Sequence, residues 1–329
     1  MSPTNLVTAV RETLRAEMAS DDRVVLLGED VGTRGGVFKV SEGLMEEFGE
    51  RRVIDTPLAE SAIVGVAIGM AMHDMIPIAE IEFADFIHPA FDQIVSEAAR
   101  MRYRTNGDWG CPMVIRAPCG GGIHGALYHS QSIEAFYAHV PGLKVVMPST
   151  PADAAGLLRT AIRDPDPVLF LEHKKAYRAV TGDVPEGDHT EPIGVATVVR
   201  PGTDLSVITY GYEVHRCLDA AERIASDHDV SVEVVDVRSL APLDAATILT
   251  SVRKTSRAMV VYEDNRSYGA GAEIAATIAE EAMFDLDAPI VRIGGPDIPA
   301  MPYATALEHF YTEPTPDHLY RAMHDLART

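Results

Sequence analysis

The chain has 329 residues, 47% of them hydrophobic, and a formal net charge of -21. That length exceeds what one core usually fills and predicts two domains of roughly 150 residues each. The negative balance argues against nucleic acid and anionic membranes as partners. No apolar run reaches the roughly 18 residues needed to cross a bilayer, and the first segment lacks the basic end and apolar middle of a signal peptide, so a cytoplasmic protein is expected. Cys111, Cys119 and Cys217 show no CxxC spacing, which points to neither a disulfide framework nor a thiolate zinc site. They read as small buried hydrophobes.

In chain order, "MSPTNLVTAVRETLRAEMASDD" reads as an amphipathic helix, and β-branched apolar runs then alternate with helical periodicity to the far end. The first half predicts strands at "VVLLGED", "RVIDTP", "IPIAEIEF", "PMVIRAP", "LKVVMPS" and "PVLFLEH". Between them lie helices such as "ESAIVGVAIGMAMHD" and "PAFDQIVSEAARMRYRT". "GEDVGTRGG" lacks the lysine and hydroxyl of a phosphate-binding P-loop, so Gly32, Gly35 and Gly36 read as a mobile loop. The second half predicts strands at "DLSVITYG", "VSVEVVDVRSL", "AMVVYED" and "PIVRIGG", with helices at "VHRCLDAAERIASD" and "GAEIAATIAEEAM". This alternation is the pattern of α/β domains built on parallel sheets. The aperiodic, Gly/Pro- and charge-rich stretch before the second half is the linker, which divides the chain into domain 1–185, linker 186–200 and domain 201–329.

Ligands of open α/β sheets bind beyond the carboxyl ends of strands. Glu29 and Asp30 follow "VVLLG"; Glu60 follows "VIDTPLA"; Phe83, Asp85 and Phe86 follow "IAEIE"; His124 and His129 follow "VIRAP". Glu60 opens an unusually apolar helix. Its carboxylate is either a first-turn group favoured by the helix dipole or an acid moved into low dielectric, where it would hold a proton at neutral pH. His129 stands among Tyr128, Ser130 and Gln131 on a glycine-rich loop, so general acid/base work or contact with an anion competes with a structural role. Cys119, His124 and His129 have the spacing C-x4-H-x4-H, but no further Cys/His pair completes a zinc site. A Cys119–His129 nucleophile pair lacks any sign of an activated thiolate. "GAGAE", from Gly269 to Glu273, is the basis for a dinucleotide-binding alternative, and helix packing explains its glycines equally well.

Taken together, "GEDVG", "GGVFKVSEGL", "RVIDTPLAES", "FADFIHPAFDQI", "GALYHSQS", "LKVVMPSTPADAAGLL" and "IRDPDPVLFLE", followed by "VITYG", "VVDVRSLAPLD" and "GGPDIPAMPYA", resemble the β subunits of thiamine-diphosphate-dependent 2-oxo acid dehydrogenases, the E1 components of pyruvate and branched-chain complexes. The resemblance spans essentially the whole chain. It implies a pyrimidine-type three-layer α/β/α thiamine-diphosphate-binding domain followed by a transketolase C-terminal-like α/β domain. In that family a glutamate at the position of Glu60 hydrogen-bonds N1′ of the cofactor's aminopyrimidine, which promotes loss of the thiazolium C2 proton. Phe86 matches the aromatic that packs on the pyrimidine, and His129 the histidine near thiazolium and substrate. Glu29 and Leu58 join the cofactor-binding set.

The family resemblance also implies partners. Thiamine enzymes hold Mg2+ and the diphosphate through Gly-Asp-Gly followed by Asn, and no Gly-Asp-Gly occurs here. A separate α subunit should supply that half in an α2β2 heterotetramer, with an E2 acyltransferase taking the acyl group on its lipoyl arm. A structural potassium ion would map to Met113, Ala161, Asp164 and Asp166, largely through main-chain carbonyls, with Asp166 standing where asparagine is common. Tyr262 stands where many relatives carry histidine and receives no catalytic role. "GALYHSQSIEAFYAH" and "EFADFIHPAFDQI" look closer to the branched-chain type than to the bacterial pyruvate type, with pyruvate and acetoin-cleaving enzymes as alternatives. A single-chain NAD-dependent dehydrogenase and a non-catalytic scaffold subunit are the readings of another class.

Overall fold

The structure, a computed structural model, describes residues 3–311 and 314–329 and divides the chain into two compact units. The first comprises Met1–Cys119 and Phe136–Ile193; the second comprises Gly120–Ala135 and Gly194–Thr329. The segment that carries His124 and His129 is therefore grouped with the second unit, although the strand before it belongs to the first. Among the described residues, no helix is long and apolar enough to cross a membrane.

The first unit begins with α1 (Leu6–Ser20), capped by Asn5, whose side chain accepts the Thr8 N–H at 2.9 Å. Strand β1 (Val24–Gly28) is followed by β2 (Val53–Asp55), α2 (Glu60–Ala71) and β3 (Ile76–Glu80). Then come β4 (Val114–Cys119), β5 (Lys144–Val146), α3 (Pro151–Ile162) and β6 (Val168–His173). Across the sheet the order is β5-β6-β4-β3-β1-β2, every neighbouring pair parallel. Strands β1, β4 and β6 are buried along their whole length, which explains why they read as continuous apolar runs and not as alternating ones. Helix α3 starts where Thr150 accepts the Asp153 N–H and Pro151 takes the first position. It lies against α1 through a buried Glu17 carboxylate that receives Arg159 Nε at 3.0 Å and Arg163 at 2.8 Å.

The second unit is a five-stranded sheet of β7 (Thr197–Arg200), β8 (Leu205–Thr209), β9 (Val232–Asp236), β10 (Ala258–Asn265) and β11 (Val291–Gly295). Its order is β11-β10-β8-β9-β7. Helices α4 (Glu213–His228), α5 (Ala270–Ala282) and α6 (Pro316–Ala327) belong to this unit. Cys217, Ala220 and Ile224 of α4 and Leu319, Met323 and Leu326 of α6 close a core over Val207, Val234 and Met259.

Three local features differ from the sequence reading. Residues 197–200, assigned to the linker, form β7, which pairs antiparallel with β9 at the sheet edge. Its side chains are only partly covered, so it carries no strong apolar signal. The segment expected as one helix over "PAFDQIVSEAARMRYRT" breaks into a 3-10 turn at His88–Ala90, a π-helix at Gln93–Ala98 and a short α-helix at Met101–Arg104. The wide turn shows in the Ala99 N–H, which reaches back five residues to Ile94 O at 3.0 Å. The glycine-rich loop after β1 is held by side chains: Asp55 accepts the N–H of Gly32 at 2.6 Å and of Thr33 at 3.2 Å, and Ser41 donates to Val31 O at 2.7 Å. All three cysteines are buried, and none of them forms a disulfide.

Candidate active site

The parallel register places the ends of β2, β1 and β3 side by side, with Gly28 aligned to Asp55 on one side and to Glu80 on the other. Gly28 permits this approach, since a Cβ there would lie 2.6 Å from Glu80 O. Immediately beyond these strand ends come Glu29 and Asp30, then Glu60 as the first residue of α2, then Glu82 two residues after β3. Burial, with help from the charges of Glu60 and Asp30, raises the Glu29 carboxyl above its usual range. Burial again, together with Glu29, Asp30, Glu80 and Glu60, pushes Glu82 up to about 7. The carboxylates thus feel one another, and one of them is poised to hold a proton near neutrality. Glu82 lies outside the residues the sequence reading selects, although "EIE" at a strand end is the available signal.

Glu60 itself is partly exposed, as are Glu29, Glu82 and Phe86. The low-dielectric setting inferred from its apolar helix is not formed within this chain: Ala62, Gly65 and Val66 of α2 face outward, while Ile63, Val64 and Ala67 are buried. Leu58, just before α2, is 72% exposed. Phe86 ends a single 3-10 turn, Ala84–Phe86, and meets Phe83 edge-on at 5.7 Å; Phe83 in turn meets Phe38 at 5.5 Å. Beneath the rim lies a buried polar cluster of four residues. Arg116 of β4 reaches Glu80 Oε2 at 2.5 Å and Glu172 of β6 through Nε at 2.6 Å, and Tyr177 donates to Glu172 at 2.7 Å.

The raised Glu82 carboxyl has a consequence for stability. A glutamate that ordinarily titrates at 4.5 is pushed up to about 7 in the folded chain, so between those values the folded chain keeps a proton that the unfolded chain has released. Stability falls as pH climbs through that window. Glu82→Gln removes the penalty and is expected to raise the melting temperature by about 2 °C at about pH 8, a small gain because water screens a half-exposed group. The gain should shrink towards about pH 5. Melting curves with the same shift at both pH values, or with none, would contradict the assignment.

In the second unit, His129 follows the single turn Ala126–Tyr128 and is partly buried. Gly125 packs directly against it, for a Cβ at Gly125 would lie 2.6 Å from His129 O. Cys119 is fully buried, and the His124 imidazole lies against the Glu308 carboxyl group. Among the described residues, no group of three His, Cys, Asp or Glu side chains is arranged to hold a metal. The "GAGAE" glycines have a packing cause. Cβ atoms at Gly269 and Gly271 would lie 2.7 Å and 2.0 Å from the buried Tyr262 ring. Tyr262 donates to Arg266 O at 2.9 Å and so serves the fold of its own strand end.

The four residues of the potassium assignment lie in the first unit, around the end of α3 and the start of β4. Lys144 Nζ holds both Asp164 carboxylate oxygens at 2.6 Å, and Arg102 Nε holds those of Asp166 at 2.7 and 2.9 Å. Met113 O already accepts the Val168 N–H at 3.0 Å, and Ala161 O the Asp164 N–H at 3.3 Å. Each carboxylate therefore has its own cation, which leaves only main-chain oxygens to serve an added one.

A strand-end rim of carboxylates and an aromatic on one parallel α/β unit is followed by a second, mixed α/β unit, and family matches to the two parts place the chain in the transketolase class. The family described as "Transketolase, pyrimidine binding domain" matches residues 2–180, and "Transketolase, C-terminal domain" matches residues 194–319. The chain is 57% identical, over 99% of both chains, to the 2-oxoisovalerate dehydrogenase subunit beta of Bacillus subtilis (strain 168). It is 48% identical to the pyruvate dehydrogenase E1 component subunit beta of the same organism, over 90% of this chain and 91% of that one. It is also 48% identical to the 3-methyl-2-oxobutanoate dehydrogenase subunit beta of Mycobacterium tuberculosis (strain ATCC 25618 / H37Rv), over 95% of this chain and 89% of that one. A solved split-gene transketolase, described as an inactive beta4 tetramer, superposes with a TM-score of 0.78 over 98% of this chain and 97% of that one; at 23% identity this speaks for the fold alone. The chain belongs to the β subunits of the thiamine-diphosphate-dependent 2-oxo acid dehydrogenase E1 components.

Proposed function

We propose that the chain is the β half of a cytoplasmic E1 enzyme that decarboxylates a branched-chain 2-oxo acid and passes the acyl group to the lipoyl arm of an E2 acyltransferase. The observation that carries the substrate class is the difference between 57% identity to a 2-oxoisovalerate dehydrogenase β subunit and 48% to a pyruvate dehydrogenase β subunit of the same organism. Thiamine diphosphate, when bound, supplies the electron sink for decarboxylation. The donor set fits its aminopyrimidine end: Glu60 would share a proton at N1′, and Phe86, Leu58 and Glu29 would hold the ring. An α subunit would hold Mg2+ and the diphosphate in an α2β2 assembly, because this chain has no Gly-Asp-Gly. A potassium ion would take the main-chain carbonyls of Met113, Ala161, Asp164 and Asp166, since both aspartate side chains are committed to Lys144 and Arg102.

His129 has the proton task. Opening the lipoyl dithiolane releases a sulfur that must be protonated, and an imidazole on a loop can deliver that proton to an arm arriving from outside. In the assembled enzyme, His129→Ala is expected to damage reductive acylation of a lipoyl domain more than decarboxylation measured with an artificial electron acceptor, using 3-methyl-2-oxobutanoate as substrate. Equal losses in the two assays would point to substrate binding instead. An unimpaired variant would make His129 structural.

A further inference from the structure

We propose that Glu308 is a positioning residue that acts through His129, by clamping the loop on which that histidine sits; the proposal rests on the proton role given to His129 above. Glu308 lies on the short helix Thr305–Tyr311 and is 1% exposed. Its Oε1 accepts the N–H of Gly122 at 3.1 Å and of His124 at 3.0 Å, and its other oxygen pairs with the His124 imidazole. The loop is shaped to receive it. Positive φ recurs at Gly120 (81°), Gly122 (78°), His124 (59°) and Ala126 (55°), which turns neighbouring N–H groups towards one point, the geometry of an anion-binding nest. In many proteins such a concavity takes a phosphate; here an internal carboxylate occupies it.

The coupling runs both ways. A carboxylate this deeply buried is unfavourable without donors, and His124 and Ala126 hold a left-handed conformation that non-glycine residues adopt only when their surroundings enforce it. Each therefore sustains the other. Glu263 of β10 adds a second hold on the outgoing limb, accepting the Gly121 N–H at 2.5 Å. The Gly120 N–H closes the loop onto Gln131 O at 2.9 Å. Inside that closure Gly125 abuts the backbone and Cβ of His129 at distances no side chain would permit. The path from the nest to the imidazole is thus a short, packed stretch of backbone, and a shift at Gly122–His124 moves His129.

The test is a double-mutant cycle in the assembled α/β enzyme, with Glu308→Gln, His129→Ala and the pair, read by lipoyl reductive acylation and by amide hydrogen exchange. Glu308→Gln keeps the shape and removes the charge. It is expected to lower reductive acylation by roughly 10-fold or more, the scale of a misplaced catalytic group. It should leave decarboxylation with an artificial acceptor largely intact, and it should speed exchange across residues 120–131 without loosening the sheet of the second unit. In the His129→Ala background the same change should cost nothing further. Glu263→Gln, at the carboxylate that accepts the Gly121 N–H, is expected to show the same non-additivity at smaller amplitude. Additive losses, or faster exchange throughout the second unit, would overturn the proposal and leave the role of His129 standing. An unimpaired His129→Ala would remove that role and the proposal with it.

Discussion

Glu60→Gln in the assembled enzyme is expected to lower turnover by roughly 10²-fold or more, the usual contribution of a positioned acid or base. Glutamine preserves the length and shape of the side chain at the start of α2, but its amide cannot share a proton with a ring nitrogen. Folding should be little affected. A first-turn carboxylate at a helix N-terminus contributes about 0.3–1 kcal/mol, and its removal also relieves repulsion, because Glu60 is among the charges that raise Glu29 and Glu82. The loss should therefore fall on the chemical step. Hydrogen–deuterium exchange at C2 of bound thiamine diphosphate isolates that step. A complex carrying Glu60→Gln that exchanges at a near-normal rate would refute the role assigned to this carboxylate.

Arg116→Met should have the largest effect on stability. The guanidinium is fully buried, with Glu80 on one side and Glu172 on the other, and Tyr177 completing the set. Burial, with help from the charge of Glu172, raises the Glu80 carboxyl, and the charge of Arg116 is the main influence opposing that rise. Methionine fills much of the volume but leaves two carboxyl groups in the core without their cation. Removing one partner from a buried ion pair typically costs about 3–5 kcal/mol, and here one deletion strands two. Chemical denaturation of the purified variant should show a loss of that order or a chain that no longer folds. A variant within about 0.5 kcal/mol of the parent, the ordinary range of surface substitutions, would mean that the cluster does not behave as a unit.

Much of the architecture was legible because the local signals agree with the fold. The helices read at "ESAIVGVAIGMAMHD", "VHRCLDAAERIASD" and "GAEIAATIAEEAM" form as α2, α4 and α5. The buried parallel strands read as apolar runs for the reason that both their faces are covered. Glu29, Glu60 and Phe86 were legible as strand-end residues once the strands were placed. What was not legible depends on distance along the chain or on the backbone itself. The holds on the His129 loop join residues 142 and 186 positions apart, and the Arg116 pairs span 36 and 56. No periodicity carries such pairings. The π-helix at Gln93–Ala98 has the composition of an α-helix, and the edge strand at Thr197–Arg200 is too short and too exposed to alternate clearly. Of the two readings of Glu60, the low-dielectric one rested on the apolar character of α2, and part of that apolar surface faces outward in this chain.

The central claim is that this chain supplies the proton-handling half of a thiamine diphosphate site whose phosphate-holding half is carried by another subunit. Calorimetric titration of thiamine diphosphate with Mg2+, into the purified chain alone and into the same chain co-assembled with its α subunit, tests it most directly. Weak binding to the chain alone and restored, Mg2+-dependent binding to the assembly are the expected result. Tight, Mg2+-dependent binding to the isolated chain would contradict it.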